Sequence, residues 1–317
     1  MAYQGQLRRF GAFFSGETVL SVPTLHSEST HFESLFVMFQ TVEDTFRQSD
    51  ASPKFCFDFS LCHFLQQNAV VLIGGLARLI ETRGGFIQFR WDTLSHEVKR
   101  NLLKNGFLRT FDNGWGKVAE GNAVAYKEHG TPEAHEVLPY LENDFLGRGW
   151  MRLSPYLKAA VVGNLWELYA NAAEHAKSSI GVFSCAQHYP RKQLLKLTVG
   201  DFGIGIPNKV RGFHQRPNLS ASRSLRWALQ PMSSTGGGGR GLGLATIKEL
   251  VKVNKGRLEI FSNDGYCSID RNGEIYAVRN TPFQGTIVNV TLVCDNLSYC
   301  FASEAGDALR KRNQPTR

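Results

Sequence analysis

The feature that most constrains this 317-residue chain is a helical pattern that carries polar side chains on one face. Residues 155–176 are rich in Leu, Ala, Val and Trp and, after Pro155, contain one glycine and no further proline, which predicts a long helix. Glu167, Asn171 and His175 follow one another at intervals of four residues and therefore share a face. An amide oxygen suits Mg²⁺, and a carboxylate one turn away can orient or deprotonate a water or hydroxyl aimed at a terminal phosphate. A solvated helix face is the alternative.

A second motif follows a predicted strand. Residues 194–199 alternate apolar side chains and run directly into Asp201, Gly203 and Gly205. A carboxylate at a strand end can accept a hydrogen bond from the exocyclic amine of adenine, and glycine lets the backbone approach a flat ring. Thr286 begins a further β-branched strand pattern and can bond near the same ring. A tight turn that happens to contain Asp is the alternative.

The third motif is a glycine-rich run, residues 235–244, which stands directly before an amphipathic helix pattern. Free backbone N–H groups and the helix dipole make such a start suitable for phosphate groups. The run does not have the form of a Walker loop. A flexible linker is the alternative, but it does not explain why Leu alternates with Gly up to the helix. The residues expected to hold phosphates are Gly239, Arg240, Gly241, Leu242 and Gly243.

A cationic segment separates the second motif from the third. Residues 206–240 contain six Lys and Arg and no Asp or Glu, against a net charge of +8 for the whole chain. We interpret this segment as a lid that closes over a nucleotide, with a short helix at residues 222–230. A solvated basic loop, or a patch for an acidic partner or nucleic acid, is the alternative. Because most of the excess charge lies here, the sequence pI of about 9.2 is weak evidence for nucleic-acid binding.

The order and spacing of the three motifs resemble those of the Bergerat-fold ATPases, which include the gyrase B subunit and the sensor histidine kinases. The resemblance implies an α/β fold, a two-layer sandwich with a mixed sheet at residues 151–300, that binds ATP and Mg²⁺. It assigns Glu167 as the catalytic carboxylate and Asn171 as the magnesium ligand. It assigns Asp201 as the residue that binds the adenine amine, and Thr286 as a residue that supports this contact. The implied nucleotide contacts also include His175, Gly203, Gly205 and the glycine-rich residues 239–243.

Within that superfamily, residues 167–175 look most like the corresponding stretch of anti-sigma-factor serine kinases and histidine kinases. The resemblance implies ATP hydrolysis, or phosphoryl transfer to a Ser or Thr of a partner, and leaves open an ATP-gated module without catalysis. His175 is either a nucleotide contact or a hydrogen-bonded packing residue. The upstream sequence has no helix pair presenting a phospho-acceptor His, which disfavours a self-phosphorylating sensor kinase.

The first half of the chain has its own pattern of strands, predicted at residues 55–59 and 86–89, alternating with helices, predicted at residues 68–81 and 94–105, which indicates an α/β layer. Residues 50–112 resemble the STAS domain of anti-anti-sigma factors. Where the regulatory members of that family accept phosphate on a Ser, residues 66–69 read Gln-Gln-Asn-Ala, so we expect no phosphorylation there. A generic α/β docking scaffold is the alternative. We expect a STAS-like domain at 1–112, a connecting segment at 113–150, the ATP-binding domain at 151–300 and a basic tail at 301–317.

Composition narrows the class of protein. The six cysteines form no Cys-x-x-Cys pair and no cluster with zinc-ligand spacing. Residues 1–14 lack the apolar core of a signal peptide, and the longest apolar stretch, residues 69–77, is too short to span a bilayer. We therefore expect a cytoplasmic protein that makes no membrane contact. The architecture that the resemblance implies is associated with bacterial signalling or defence. A protein partner would bind the N-terminal domain or the lid, and a homodimer is left open.

Overall fold

The computed structural model of the chain describes residues 16–25, 32–48, 52–116, 121–230 and 243–304. The strands within these ranges are β1 (Thr18–Ser21), β2 (Lys54–Asp58), β3 (Phe86–Arg90), β4 (Ala123–His129), β5 (Arg152–Leu153), β6 (Val182–Tyr189), β7 (Leu194–Asp201), β8 (Arg257–Asp270), β9 (Gly273–Val293) and β10 (Ser298–Tyr299). The α-helices are α1 (Phe32–Gln48), α2 (Gln67–Thr82), α3 (His96–Lys104), α4 (Phe107–Phe111), α5 (Ala134–Pro139), α6 (Pro155–His175), α7 (Ile206–His214), α8 (Ala221–Ala228) and α9 (Gly243–Val253). A π-helical turn, Tyr140–Phe145, continues α5.

A five-stranded sheet with the order β4-β6-β7-β9-β8 forms the centre of the second half. Its four pairings within the described residues are all antiparallel, which corrects our expectation of a mixed sheet. The physical reason is the long β8–β9 hairpin. β7 and β8 run in the same direction, but β9 turns back and inserts between them, so the two parallel strands are not neighbours.

Helices α6 and α9 cover one face of this sheet. Leu195, Leu197 and Val199 alternate along β7 and pack with Leu165 of α6 and Ile247 of α9 in one buried cluster. Because side chains alternate between the faces of a strand, the same parity places Asp201 on this helical side. The helix over residues 155–176 and the strand over residues 194–199 are thus confirmed. Together with the sheet they form the predicted α/β sandwich.

The other face of the sheet packs against the first half of the chain. Phe183 and Ile287 point to this side and share a buried cluster with α1 and α2. The approach is close: a Cβ added at Gly75 of α2 would overlap the ring of Phe202. α2 also contacts β3 of a parallel three-stranded sheet, ordered β1-β2-β3. The helix is buried along most of its length because it lies between two sheets.

The elements predicted for the first half are confirmed: β2, α2, β3 and α3 lie where the pattern places them. The resemblance to a STAS domain and the proposed domain boundaries stay predictions. Two contacts bear on those boundaries. β4 lies inside the expected connecting segment, residues 113–150, yet it is the edge strand of the five-stranded sheet. The first half and this sheet also share one hydrophobic core.

Within the described ranges, none of the helices combines the length and the apolar composition that crossing a bilayer requires.

Candidate functional site

The long helix α6 presents the first set of predicted site residues. Ser154 caps its start, since its Oγ accepts a hydrogen bond from the backbone N–H of Leu157 at 3.2 Å. Tyr169 is fully buried, while Glu167 and Asn171 are half-buried. Within the described part of the chain, neither of these two side chains has a hydrogen-bond or ion-pair partner. The carboxylate and the amide are therefore available to a ligand.

The end of α6 is joined to the glycines that follow β7. The backbone N–H of Ile204 donates to the carbonyl oxygen of Ala176 at 2.7 Å. A Cβ at Gly203 would overlap that same carbonyl oxygen, so only glycine allows this approach. The structure thus brings the first two sequence motifs together. His175 is the last residue of α6, and its side chain lies outside what the structure describes.

Asp201 stands at the end of β7, opposite Thr286 of β9 in the strand register. Its carboxylate is buried, with 4% of the residue exposed, and accepts hydrogen bonds from the backbone N–H of Gly203 at 2.9 Å and from Thr286. A Cβ at Gly285 would overlap the carbonyl oxygen of Asp201, and the φ of Gly285 is 128°. The Gly-Thr pair therefore fits closely against the aspartate.

Burial raises the pKa of Asp201 from 3.8 to about 7, although the hydrogen bonds from Gly203 and Thr286 lower it in part. Near neutral pH this carboxyl group changes between its protonated and its ionised form. An ionised carboxylate accepts hydrogen bonds only, whereas a protonated one also donates. A ligand amine that donates to Asp201 therefore favours the ionised form.

Two further residues complete this corner, and sequence reasoning missed both. Ser262 of β8 lies 2.9 Å from the hydroxyl of Thr286, donates to the carbonyl oxygen of Gly285 and accepts from the backbone N–H of Ile206. Asn263 donates from Nδ2 to the carbonyl oxygen of Ile204 at 3.1 Å. Both residues lie inside a long strand with no local motif around them. The pairing of β8 with β9, which the sequence does not display, is what places them here.

The predicted phosphate motif is described only at its end. Gly239, Arg240, Gly241 and Leu242 lie outside the described residues, and Gly243 is the first residue of α9. α9 is anchored to the β8–β9 hairpin, because Lys248 and Lys252 both contact the carboxylate of Glu274, at 2.8 and 2.9 Å. Burial alone would raise the pKa of Glu274, but the hydrogen bonds from these lysines and Tyr276 lower it to about 2.

The predicted lid begins with two helices, α7 and α8, of which α8 agrees with the predicted short helix and α7 was not predicted. Lys209 of α7 approaches the end of α6, where burial lowers its pKa and the charge of Glu174 opposes that effect. Arg211 lies 3.6 Å from Asp264 and donates to the carbonyl oxygen of Leu219, which fixes the turn between the two helices. The part of the lid after Gln230 falls outside the described residues up to Gly243.

The donor set around α6 fits a magnesium ion that arrives with a nucleotide. Mg²⁺ uses one or two protein oxygens and completes its shell with water and phosphate oxygens, and the unpartnered amide of Asn171 offers one such oxygen. Among the described residues no group of three His, Cys, Asp or Glu side chains could hold a metal ion by itself. A metal at this site would therefore depend on the nucleotide for most of its ligands.

Comparison with known proteins agrees with this geometry. Residues 161–295 match the family model described as histidine kinase-, DNA gyrase B- and HSP90-like ATPase. The match includes most of α6, all of β6, β7, β8 and β9, and the glycine-rich run. Residues 161–295 are therefore a domain of this ATPase family, whose members bind ATP. No curated protein matches the chain.

Proposed function

We propose that this chain is a magnesium-dependent ATPase that acts as a nucleotide-driven conformational switch in a cytoplasmic regulatory or defence pathway. The observation that carries the proposal is the junction of α6 with the end of β7. There a buried Asp201, paired with Thr286, lies next to a helix on which Glu167 and Asn171 have no hydrogen-bond or ion-pair partner among the described residues. This junction belongs to a domain of an ATPase family.

Each group has a role that follows from its chemistry. Asp201 accepts the adenine amine, and the hydroxyl of Thr286 supports the same edge of the ring. Asn171 offers its amide oxygen to the magnesium ion, which when bound would neutralise charge on the phosphates. Glu167, one turn earlier on α6, accepts a proton from the attacking water and orients it towards the terminal phosphate. Residues 239–243 hold the phosphate chain through their backbone N–H groups.

Phosphoryl transfer to a Ser or Thr of a protein partner is the second candidate. It is supported by residues 167–175, which resemble the corresponding stretch of anti-sigma-factor kinases. Glu167 would then activate a hydroxyl instead of water. A non-catalytic, ATP-gated module is the third candidate, in which nucleotide orders the lid and changes a partner surface. In both cases the partner binds the N-terminal half or the lid, and a homodimer is compatible with each candidate.

The three candidates are separated by following the γ-phosphate of labelled ATP, with and without cell lysate. We expect free labelled phosphate from the purified chain alone, at a rate that requires Mg²⁺. If the label appears on a lysate protein and no free phosphate is released, the chain is a protein kinase and not a hydrolase. If ATP stays intact under both conditions, only the non-catalytic, ATP-gated module remains as a candidate. Absence of ATP binding by calorimetry would contradict all three.

Asn171→Ala is expected to lose the part of ATP affinity that depends on magnesium. In calorimetry, the ratio of affinities with Mg²⁺ and with a chelator should fall by at least ~10-fold, the scale for losing even an outer partner of a metal ligand. The affinity without metal should stay close to that of the parent protein. Asn143→Ala, an exposed amide elsewhere in the chain, is the matched control. An unchanged ratio would remove Asn171 from the metal site.

A further inference from the structure

The outer surface of α7 and α8 carries an aromatic cluster that the proposed ATPase site does not use. The ring centroids of Phe213 and Trp227 are 5.6 Å apart, and those of His214 and Trp227 are 4.7 Å apart. Phe213 is 51% exposed. An exposed phenylalanine beside two other rings offers an apolar surface to a ligand from outside.

Several arginines lie close to this cluster in the sequence. The described lid residues, 206–230, contain five Lys and Arg and no acidic residue. Two of the arginines have contacts with neighbouring elements: Arg211 is held by Asp264, and the Arg226 guanidinium lies 4.6 Å from the ring centre of Tyr276. Arg216 and Arg223 are exposed. We call Phe213, His214, Arg216, Arg223, Arg226 and Trp227 the lid surface.

Apart from Arg226, which lies against Tyr276, and the partly buried Trp227, the side chains of the lid surface are exposed to solvent. The buried residues of α8, Ala221 and Leu225, pack towards the β8–β9 hairpin, where a Cβ at Gly265 would touch both. The acidic residues of that hairpin nearest to α8 and α9 already have cationic partners, since Asp264 contacts Arg211 and Glu274 contacts two lysines. Arg223 lies one helical turn before Trp227 on α8, and Arg216 follows His214 by two residues, so both exposed arginines are near the rings along the chain.

We propose that the lid surface binds single-stranded nucleic acid. Aromatic rings next to cations are the pattern that takes up unpaired bases by stacking while the cations hold the phosphates. Every exposed cation of the lid surface is an arginine, whose planar guanidinium binds phosphate through two hydrogen bonds and also stacks on bases. The net charge of +8 on the whole chain also favours the binding of a polyanion.

A single strand fits these groups better than a duplex or an acidic peptide. The bases of a duplex are already stacked on one another and cannot reach Phe213 without being flipped out. An acidic peptide would satisfy the arginines but supplies no row of flat rings for the exposed face of Phe213. Stacking should therefore distinguish a nucleic-acid ligand from a ligand that is only anionic.

The test is fluorescence anisotropy of the full chain with a labelled 12-nucleotide single strand, as RNA and as DNA, against the matched duplex and a poly-glutamate peptide. We expect the single strand to bind more tightly than the duplex and the peptide. The logarithm of the affinity should fall with the logarithm of salt concentration with a slope of about −2, as three neutralised phosphates predict. The RNA and DNA arms show which of the two strands is preferred.

Two variants separate stacking from charge. Phe213→Ala should weaken single-strand binding by about 5- to 100-fold without changing the salt slope. The double variant R216Q/R223Q should reduce the magnitude of the slope by about 1.4. The control R191Q/R271Q removes the same charge from exposed positions outside the lid surface and should leave the slope close to that of the parent.

Three results would overturn the proposal: no binding of the single strand at low salt, an equal slope change in both double variants, or peptide binding as tight as single-strand binding with no effect of Phe213→Ala. The last result would assign the lid surface to an acidic protein. Circular dichroism and thermal unfolding of each variant confirm that the fold is intact. Because ATP turnover is measured separately, failure here leaves the proposed ATPase function untouched.

Discussion

Glu167→Ala binds Mg·ATP with the affinity of the parent protein but turns it over at least ~100-fold more slowly: this is the first result we expect. A positioned general base contributes about 10²–10⁴-fold to a rate, and the side chain is not needed to hold the nucleotide. The half-buried carboxylate has no hydrogen-bond or ion-pair partner among the described residues, so its removal should cost little stability. Turnover is measured by phosphate release and binding by calorimetry.

A matched pair of variants sharpens this test. Glu167→Gln keeps the size and polarity of the side chain but cannot accept a proton, so it should be as slow as Glu167→Ala. Glu142→Gln removes a carboxylate from an exposed position in another element and should turn over ATP normally. If Glu167→Gln retains the parent rate, Glu167 is not the base. If both variants lose ATP affinity, the carboxylate holds the nucleotide instead.

Asp201→Asn should change the pH dependence of stability and should weaken the binding of ATP. In the folded protein the pKa of Asp201 is about 7, whereas the unfolded chain has the ordinary value of 3.8. The folded state therefore keeps a proton that the unfolded state has released, and the parent protein loses stability as the pH rises towards and through 7. Between pH 5 and pH 8 the loss amounts to about 2–3 kcal/mol, at 1.36 kcal/mol per pH unit below the pKa.

Asn at position 201 does not titrate, so this loss should be absent from the variant. The free energy of unfolding of Asp201→Asn, relative to the parent, should therefore increase by about 2–3 kcal/mol from pH 5 to pH 8. Denaturant titrations at several pH values measure it. Asp92→Asn, at an exposed carboxylate, is the control and should show no such trend. A pH-independent difference for Asp201→Asn would mean that the carboxyl has an ordinary pKa.

The same variant should bind ATP about 10- to 100-fold more weakly, the scale for losing a hydrogen bond to a charged group. In the parent protein, ATP affinity should rise from pH 6 to pH 8, because a protonated Asp201 loses part of its capacity to accept the adenine amine. This pH dependence should disappear in Asp201→Asn. The denaturant titration at pH 8 shows whether the variant is folded under the conditions of the binding measurement, which separates weak binding from unfolding. Parent-like affinity would remove Asp201 from the base pocket.

Local patterns in the sequence were sufficient for several elements. Composition predicted α6, and the pattern of apolar residues predicted β7 and α2, because both signals are properties of neighbouring residues. The motif order also led to the ATPase family that the match over residues 161–295 shows. α7 was not predicted, since it is short and contains Gly212, which weakens a helical pattern, whereas in the structure it packs against α8 and β8. The individual roles of Glu167 and Asn171 stay predictions.

The sequence by itself determined which residues lie on one face of a helix or strand, and hence the polar face of α6 and the carboxylate at the end of β7. Only the tertiary structure decided which strands are neighbours. It inserted β9 between β7 and β8, which placed Thr286 between Asp201 on one side and Ser262 on the other. It also buried α2 between two sheets. The physical reason is range: periodicity is set by residues a few positions apart, whereas strand pairing depends on packing among segments far apart in the chain.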